Sequence, residues 1–353
     1  MKILHTADWH LDAPFTGASV QQREFLRREL RRLPGKIVQI AQNEGCDLIL
    51  IAGDVFDGAY TAESLQALRA ALSGCEIPVF ITPGNHDYCV PGSPWLDQTW
   101  PENVHIFTGA LESVALPELD CRIYGAGYQS MDCPGLLEGF SAVGEEKYHI
   151  GVLHGDPGAA TSPYCPITTA QVRASGLQYL ALGHIHKAGQ FTAADTRCAW
   201  RGCPMGRGFD ETGEKGGFIV QVDENVKLRF LPVDMPRFYD LEVSSEGDEM
   251  AALEAVLPAV DTKDVYRVSL NGSGEKPLRE LYEAYPHIPN LILTDSREAP
   301  VDIWTSAGED TLEGVYFTML RELTVSEDPK LRQSALLAAE ISRKLLDGKE
   351  VKL

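Results

Sequence analysis

The stretch Leu48-Ile49-Leu50-Ile51-Ala52-Gly53-Asp54-Val55-Phe56-Asp57 decides how the rest of the chain reads. Four apolar residues run together and stop at Gly-Asp. A short apolar run bounded by a turn signal predicts a buried strand, although run length alone leaves a helix segment open. Gly53 lets the backbone turn sharply where the strand ends. Asp54 then stands at the carboxyl edge of a sheet, where open α/β folds place their chemistry. By itself such a stretch is more often an ordinary turn than a metal ligand.

Four other strand-like runs end in the same manner. Residues 3–7 lead into Asp8-Trp9-His10, and strand alternation would turn Asp8 and His10 to one side. Residues 78–82 lead into Pro83-Gly84-Asn85-His86-Asp87. There Asn85 offers a neutral oxygen, His86 is an acid/base candidate, and Asp87 is placed to hold its ring. Residues 149–153 end at His154. Residues 177–182 end at Gly183-His184-Ile185-His186, a second alternating pair. Each set alone also reads as turns and core histidines. Five such sets at strand ends, in a chain with nine histidines, are hard to attribute to chance. Mixed carboxylate, imidazole and amide donors suit a pair of octahedral divalent ions better than a thiolate zinc site. Two such ions about 3.5–4 Å apart clamp the attacking and leaving oxygens of a phosphoryl displacement. His5, His105, His149 and His287 are left as structural or surface residues.

The chain has 353 residues, which predicts about two domains at roughly 100–200 residues each. Hydrophobic residues make up 44% and charged residues 23%, so a soluble protein with a sizeable core is expected. A formal net charge of -20 disfavours nonspecific adhesion to nucleic acid or an anionic membrane. A nucleic-acid substrate stays open, because bound divalent ions supply local positive charge. No run approaches the roughly 18 apolar residues of a membrane span. The start carries no signal-peptide pattern, and the eight cysteines contain no Cys-x-x-Cys pair. The expectation is a cytoplasmic protein with reduced thiols and no membrane partner.

Residues 19–33 predict a helix with Phe25, Leu26, Leu30 and Leu33 as its apolar stripe. Its five arginines, Arg23, Arg27, Arg28, Arg31 and Arg32, read either as a phosphate-touching face or as a solvated face paired with Glu24 and Glu29. Pro34-Gly35 is expected to break this helix. Near Pro232 and Pro236 the character changes, which predicts domains at 1–235 and 236–353. The second part holds 13 Lys and Arg against 23 Asp and Glu, a net of -10. It reads as short strands alternating with helices, closed by an amphipathic helix over 330–346. Leu337, Ile341 and Leu345 form the stripe of that helix and Gly348 its stop.

The ordered set Asp-x-His, Gly-Asp, Gly-Asn-His-Asp, a later His and Gly-His-x-His resembles the calcineurin-like metallophosphoesterases. That resemblance implies an α/β (in part α+β) fold, a four-layer sandwich of two mixed sheets flanked by helices. A small α/β C-terminal capping domain would follow it. It also implies that Asp8, His10 and His186 hold one metal, that Asn85, His154 and His184 hold the other, and that Asp54 bridges them. His86 would then serve the scissile phosphate or the leaving oxygen, with Asp57 supporting it. The opening Ile3-Leu4-His5-Thr6-Ala7-Asp8-Trp9-His10-Leu11-Asp12, the stretch Leu182 to Lys187, and Gly202-Cys203-Pro204 with Phe209-Asp210-Glu211 are similar to the SbcD-like DNA-repair exonucleases. Asp12 and Cys203 depart from that branch, which has Gly and Ser there.

The function implied is a two-metal phosphodiester hydrolase, a Mn-dependent DNA exonuclease or endonuclease. Fe, Zn and Mg are the other ions the donor set admits. A phosphodiesterase for small nucleotides is the first alternative, and a non-enzymatic metal-stabilised scaffold the second. A coiled-coil ABC-type ATPase and a second copy of the chain are the protein partners this reading admits.

Overall fold

Alternating burial builds the molecule from the strands outward. In the computed structural model, which describes residues 1–297 and 302–348, the first strands are β1 (Lys2–Thr6), β2 (Leu48–Ile51), β3 (Val79–Ile81) and β4 (Val104–Ile106). Then come β5 (Glu112–Leu116), β6 (Cys121–Gly125), β7 (Tyr148–His154), the short pair β8 (Asp156–Pro157) and β9 (Pro166–Ile167), and β10 (Tyr179–Gly183). Two hairpins follow, β11 (Gly189–Ala193) with β12 (Thr196–Trp200), and β13 (Gly216–Val222) with β14 (Val226–Pro232). One six-stranded sheet has the order β14-β13-β1-β2-β3-β4 and the other β11-β12-β10-β7-β6-β5. Within each, the four strands that include the site-bearing ones run parallel.

Residues alternate between the two faces of each strand, as the pleat requires. Ile3, Leu48, Leu50, Ile150, Val152, Tyr179 and Ala181 share one core, drawn from both sheets. Leu4, Ile49 and Ile51 turn to a second core with Leu26, Leu30, Ile37 and Leu68 of the helices α1 (Val20–Leu30), α2 (Leu33–Glu44) and α3 (Ala62–Ser73). Leu153, Leu180 and Leu182 turn to a third, which takes Val172 of α5 (Thr169–Ala174); α4 (Pro94–Asp97) precedes it in the chain. Strands buried on both faces read as continuous apolar runs, which is why Leu48–Ile51 carries no polar alternation. The α/β sandwich of two mixed sheets with helices is thus the observed fold.

Pro34 does not interrupt a helix. It lies in the first turn of α2, where its missing N–H is no loss, and the break falls at Arg31 and Arg32. The arginine face of α1 is divided. Arg32 pairs with Glu29 at 2.6 Å, Arg31 approaches Asp12 at 3.8 Å, and Arg27 donates to the Ala13 carbonyl at 3.1 Å.

By contact the chain forms two compact units. The first is Met1–Leu241 with Val260–Arg267 and His287–Ile292. The second is Glu242–Ala259, Val268–Pro286 and the chain from Leu293 onward. A three-stranded sheet contains β15 (Phe238–Ser244), β16 (Val265–Asn271) and β17 (Leu291–Asp295) in that order. The remaining helices are α6 (Glu249–Glu254), α7 (Leu278–Glu283), α8 (Leu312–Leu323) and α9 (Pro329–Leu346). The stripe expected on α9 is not the buried one. Ala335, Ala339 and Arg343 are buried, whereas Leu337 and Leu345 are exposed. The Arg343 guanidinium lies over the Phe317 ring of α8 and also bonds Glu313, which recruits a charged residue to the packed face.

Candidate metal centre

Five loops bring the chemistry together, each leaving the carboxyl end of a parallel strand. Asp8 and His10 follow β1, Asp54 and Asp57 follow β2, and Asn85 and His86 follow β3. His154 ends β7, and His184 and His186 follow β10. The first two loops are laced by backbone hydrogen bonds from Asp8 N–H to the Gly53 carbonyl (3.0 Å) and from His10 N–H to the Asp54 carbonyl (2.9 Å). Asp87 does not orient His86. Its buried carboxylate accepts the N–H groups of Gly84 (2.7 Å), Val55 (2.8 Å) and Phe56 (3.2 Å), which ties the third loop to the second.

The backbone route into the site differs from simple strand alternation. Strand β1 stops at Thr6, and Asp8 and His10 both have left-handed backbones, with φ of 53° and 48°. Asp54 and His184 share this conformation at 51° and 93°. Four non-glycine residues in that region within one pocket are a concentration of strain of the kind found at functional sites. His184 and His186 therefore do not point together. His184 Nδ1 lies 3.1 Å from Asn85 Oδ1, while His186 Nε2 lies 3.1 Å from His10 Nε2. Gly53, at φ 89°, is required twice over, because a Cβ there would strike the His154 ring.

Two groups of donors result, with Asp54 between them. Asp8, His10 and His186 converge with ligand atoms within 4.8 Å of one another, as do Asp8, Asp54 and His154. Asn85 Oδ1 lies 2.9 Å from His154 Nε2 and so joins the second group with His184. Asp54 Oδ2 is 3.3 Å from His154 Nε2 and 3.8 Å from His10 Nε2. Asp8, His10, Asp54 and His154 are buried.

The donor set fits divalent cations on three counts. His10 Nδ1 faces Asp57 Oδ1 at 2.8 Å and His186 Nδ1 faces Glu211 Oε1 at 2.6 Å, so each neutral ring donates there. Their Nε2 lone pairs then confront each other, an arrangement that a shared cation relieves. His154 repeats the pattern. Its Nδ1 donates to the Ala52 carbonyl at 2.9 Å, which turns Nε2 toward the oxygens of Asn85 and Asp54. Finally, Asp8 Oδ2 is buried without a hydrogen-bond partner. Burial opposes charge on His154, yet Asp54 and Asp8 raise its pKa to about 9, so without a cation Nε2–H donates to these oxygens, and a bound cation would take the place of that proton.

His86 stands apart from the buried donors, with its side chain 42% exposed. Its Nδ1 lies 3.1 Å from Asp57 Oδ1, and that hydrogen bond raises its pKa. Burial alone would raise the Asp57 carboxyl, but hydrogen bonds from His10 and His86 overcome it and hold the group below the ordinary carboxylate range.

Two residues escape the sequence pattern. Glu211 accepts from His186 Nδ1 and, at 3.0 Å, from Arg207 Nη2 through the same Oε1. Arg207 also reaches to 3.5 Å from Asp57 Oδ1. Neither lies at a strand end, and the Phe209-Asp210-Glu211 stretch was the only signal available. Glu211, His186 and Cys203 also converge, and in the absence of an ion burial pushes the Cys203 thiol up to about 12.

Residues 1–188 match the family model of calcineurin-like phosphoesterases. The SbcD component of nuclease SbcCD from Staphylococcus epidermidis is 24% identical over 364 residues, covering 90% of this chain and 93% of that protein. The uncharacterized metallophosphoesterase YhaO of Bacillus subtilis is 34% identical over 239 residues, 63% of this chain and 57% of that protein. The chain thus matches little more than half the length of YhaO. A dimetal phosphatase from Danio rerio overlaps 65% of this chain and 96% of its own, with 14% identity and a TM-score of 0.44. With more than half of its residues inside the matched domain, the chain belongs to the calcineurin-like phosphoesterases, a family of metal-dependent hydrolases, and its likeness within them is to the SbcD-type nucleases.

Proposed function

We propose that the protein is a two-metal phosphodiesterase that cleaves DNA, with Mn2+ as its working ion. The observation that carries this reading is the convergence of Asp8, His10, Asp54, Asn85, His154, His184 and His186 into two groups that share Asp54. In it, residues 1–235 are the catalytic domain and 236–353 an accessory capping domain. Asp8, His10 and His186 would hold one ion and Asn85, His154 and His184 the other, with Asp54 placed to serve both. Bound ions supply Lewis-acid stabilisation of the phosphate and a nucleophile at neutral pH.

The chain's own groups do the rest. Asp57 accepts from His86 Nδ1, which fixes the ring and leaves Nε2 free to face substrate. As an imidazolium favoured by Asp57, His86 delivers its Nε2 proton to the departing oxygen. Asp57 and Glu211 fix the rings of His10 and His186, so the donor nitrogens are set before substrate arrives.

DNA as substrate is supported by the nuclease relative that spans 90% of the chain. That relative is named as one component of a larger nuclease, so we extend the reading to a partner, a coiled-coil ABC-type ATPase, in the cytoplasm. No helix among the described residues is long and apolar enough to cross a membrane. The net charge of -20 favours a second reading, a phosphodiesterase for small nucleotides that needs no basic track. Incubation with Mn2+ and single-stranded DNA, double-stranded DNA or bis-p-nitrophenyl phosphate separates them. Cleaved DNA supports the first reading. Hydrolysis of the small diester with intact DNA moves the assignment to the second. Inertness toward all three with Mn2+, Fe2+, Zn2+ and Mg2+ overturns both.

A further inference from the structure

A cavity of 440 Å3 is walled in part by the loop after β1, which carries Asp8 and His10, and by the stretch that precedes Glu211. One wall is Phe15 to Ala18, reached five residues after His10. Another is Arg207 to Asp210, which ends at the Glu211 that holds His186. Arg207 belongs to both places. It lines the cavity, and its guanidinium stands 3.5 Å from Asp57 Oδ1. Helix α1 contributes Gln22 and Leu26. Arg207 is thus the side chain that links this space to Asp57 beside the cluster.

The lining includes the half-buried Phe209, whose ring meets that of the buried Phe238 and has the Arg267 guanidinium over it at 4.2 Å. Aromatic rings and guanidinium planes are the surfaces on which nucleobases stack. Gln22, Thr16 and Asp210 add hydrogen-bonding groups. Positive charge is not in surplus. Arg267 is held by Asp240 through two hydrogen bonds of 2.8 and 2.5 Å, and Arg207 is held by Glu211. A neutral occupant suits this balance better than a second phosphate. The volume is of the size that holds a small organic ligand. Phe15 is buried with φ of 47°, a rare backbone for a bulky residue, so the wall is held in place at a cost in strain.

We propose that this cavity is a nucleoside subsite, which binds the nucleoside on one arm of the scissile phosphodiester while Arg207 closes the space between base and phosphate. The proposal rests on the phosphodiesterase reading and assigns the surface that would hold the nucleoside of its substrate.

Gly17 gives the test. It is exposed, and nothing lies within 4 Å of where its Cβ would stand, so Gly17→Trp fills the cavity mouth without disturbing the fold. Thr16→Trp, also at an exposed position, is the second variant. With the metal-loaded full chain, kcat/KM is measured for thymidine 5′-p-nitrophenyl phosphate and for methyl p-nitrophenyl phosphate. The ratio of the two is expected to fall about 10- to 100-fold in the variants, the scale of losing one stacked base. A ratio within twofold of the parent in both variants overturns the subsite and leaves the phosphodiesterase reading standing. Equilibrium dialysis decides the point even where no diester is hydrolysed. Labelled thymidine 5′-monophosphate should bind the parent and bind Gly17→Trp at least tenfold more weakly relative to inorganic phosphate. An unchanged relative affinity rejects the proposal.

Discussion

Glu211 faces His186 Nδ1 and so sets the tautomer of that ring, and it shares its Oε1 with Arg207. Replacing it with Gln keeps the shape but removes the charge that favours Nε2 as the donor nitrogen. Outer partners of this kind are worth about 10–100-fold in metal affinity. Glu211→Gln is therefore expected to weaken Mn2+ binding on that scale in titration calorimetry, while circular dichroism stays that of the parent. Equal affinity in the two proteins would make Glu211 a packing residue. His86 makes the contrasting case. It is partly exposed and bonded to Asp57 rather than enclosed with the buried donors. His86→Ala should keep its metal content by elemental analysis and lose about 10²–10⁴-fold in kcat, the usual scale for an acid/base group. Loss of metal from that variant would contradict the role assigned to it.

Between the residue and the molecule stand the strands, and β1 meets β10 of the other sheet through a histidine outside the candidate metal cluster. His5 is buried. Its Nε2–H donates to the Leu182 carbonyl at 3.1 Å, and Nδ1 accepts from the Tyr179 hydroxyl at 2.7 Å. Burial lowers its pKa to about 4, with the Leu182 carbonyl opposing. Above pH 6.5 the ring is neutral in both the folded and the unfolded chain, so its contribution is fully present there. As pH falls below 6.5 the unfolded chain takes up a proton that the folded chain refuses until about pH 4. Stability is lost across that window, by roughly 2 kcal/mol at about pH 5 from this group. His5→Leu should flatten the fall in urea-derived stability between about pH 7 and 5 by that amount. A parallel slope in the two proteins would show that another group titrates.

The elements also show what a sequence can carry. Leu48–Ile51 and the run ending at Leu182 are apolar on both faces, so their strands and the polar residues that end them were legible. The left-handed backbones of Asp8, His10, Asp54 and His184 were not, because nothing in local composition distinguishes such a corner from continued alternation. The same limit hid the separate paths of His184 and His186. On α9 the pattern misled, since a helix stripe chosen by hydropathy ignores an arginine that packs on Phe317 through its guanidinium. Asp87 departs from its expected role for a related reason. Sequence places it beside His86, but only geometry shows that its oxygens are taken by three backbone N–H groups.

At the scale of the molecule, the cluster, like the His5 contacts, joins the two sheets by polar groups rather than by the apolar core between them. Asp8, His10, Asp54 and Asn85 hang from strands of one sheet, and His154, His184 and His186 from strands of the other. Without cations these groups present lone pair to lone pair and leave a buried carboxylate oxygen unpaired, which costs stability. An ion bound there acts on folding by mass action, and at about a thousand times its dissociation constant it adds about 4 kcal/mol. For a chain of this size that corresponds to a rise in Tm of roughly 5–10 °C. Scanning calorimetry of the EDTA-treated protein against the same protein with Mn2+ restored should show a difference of this order. A Glu211→Gln protein should require more Mn2+ to reach it. An apo protein that melts where the loaded protein melts would mean that the seven donors are balanced without a cation, and the metal centre would have to be abandoned.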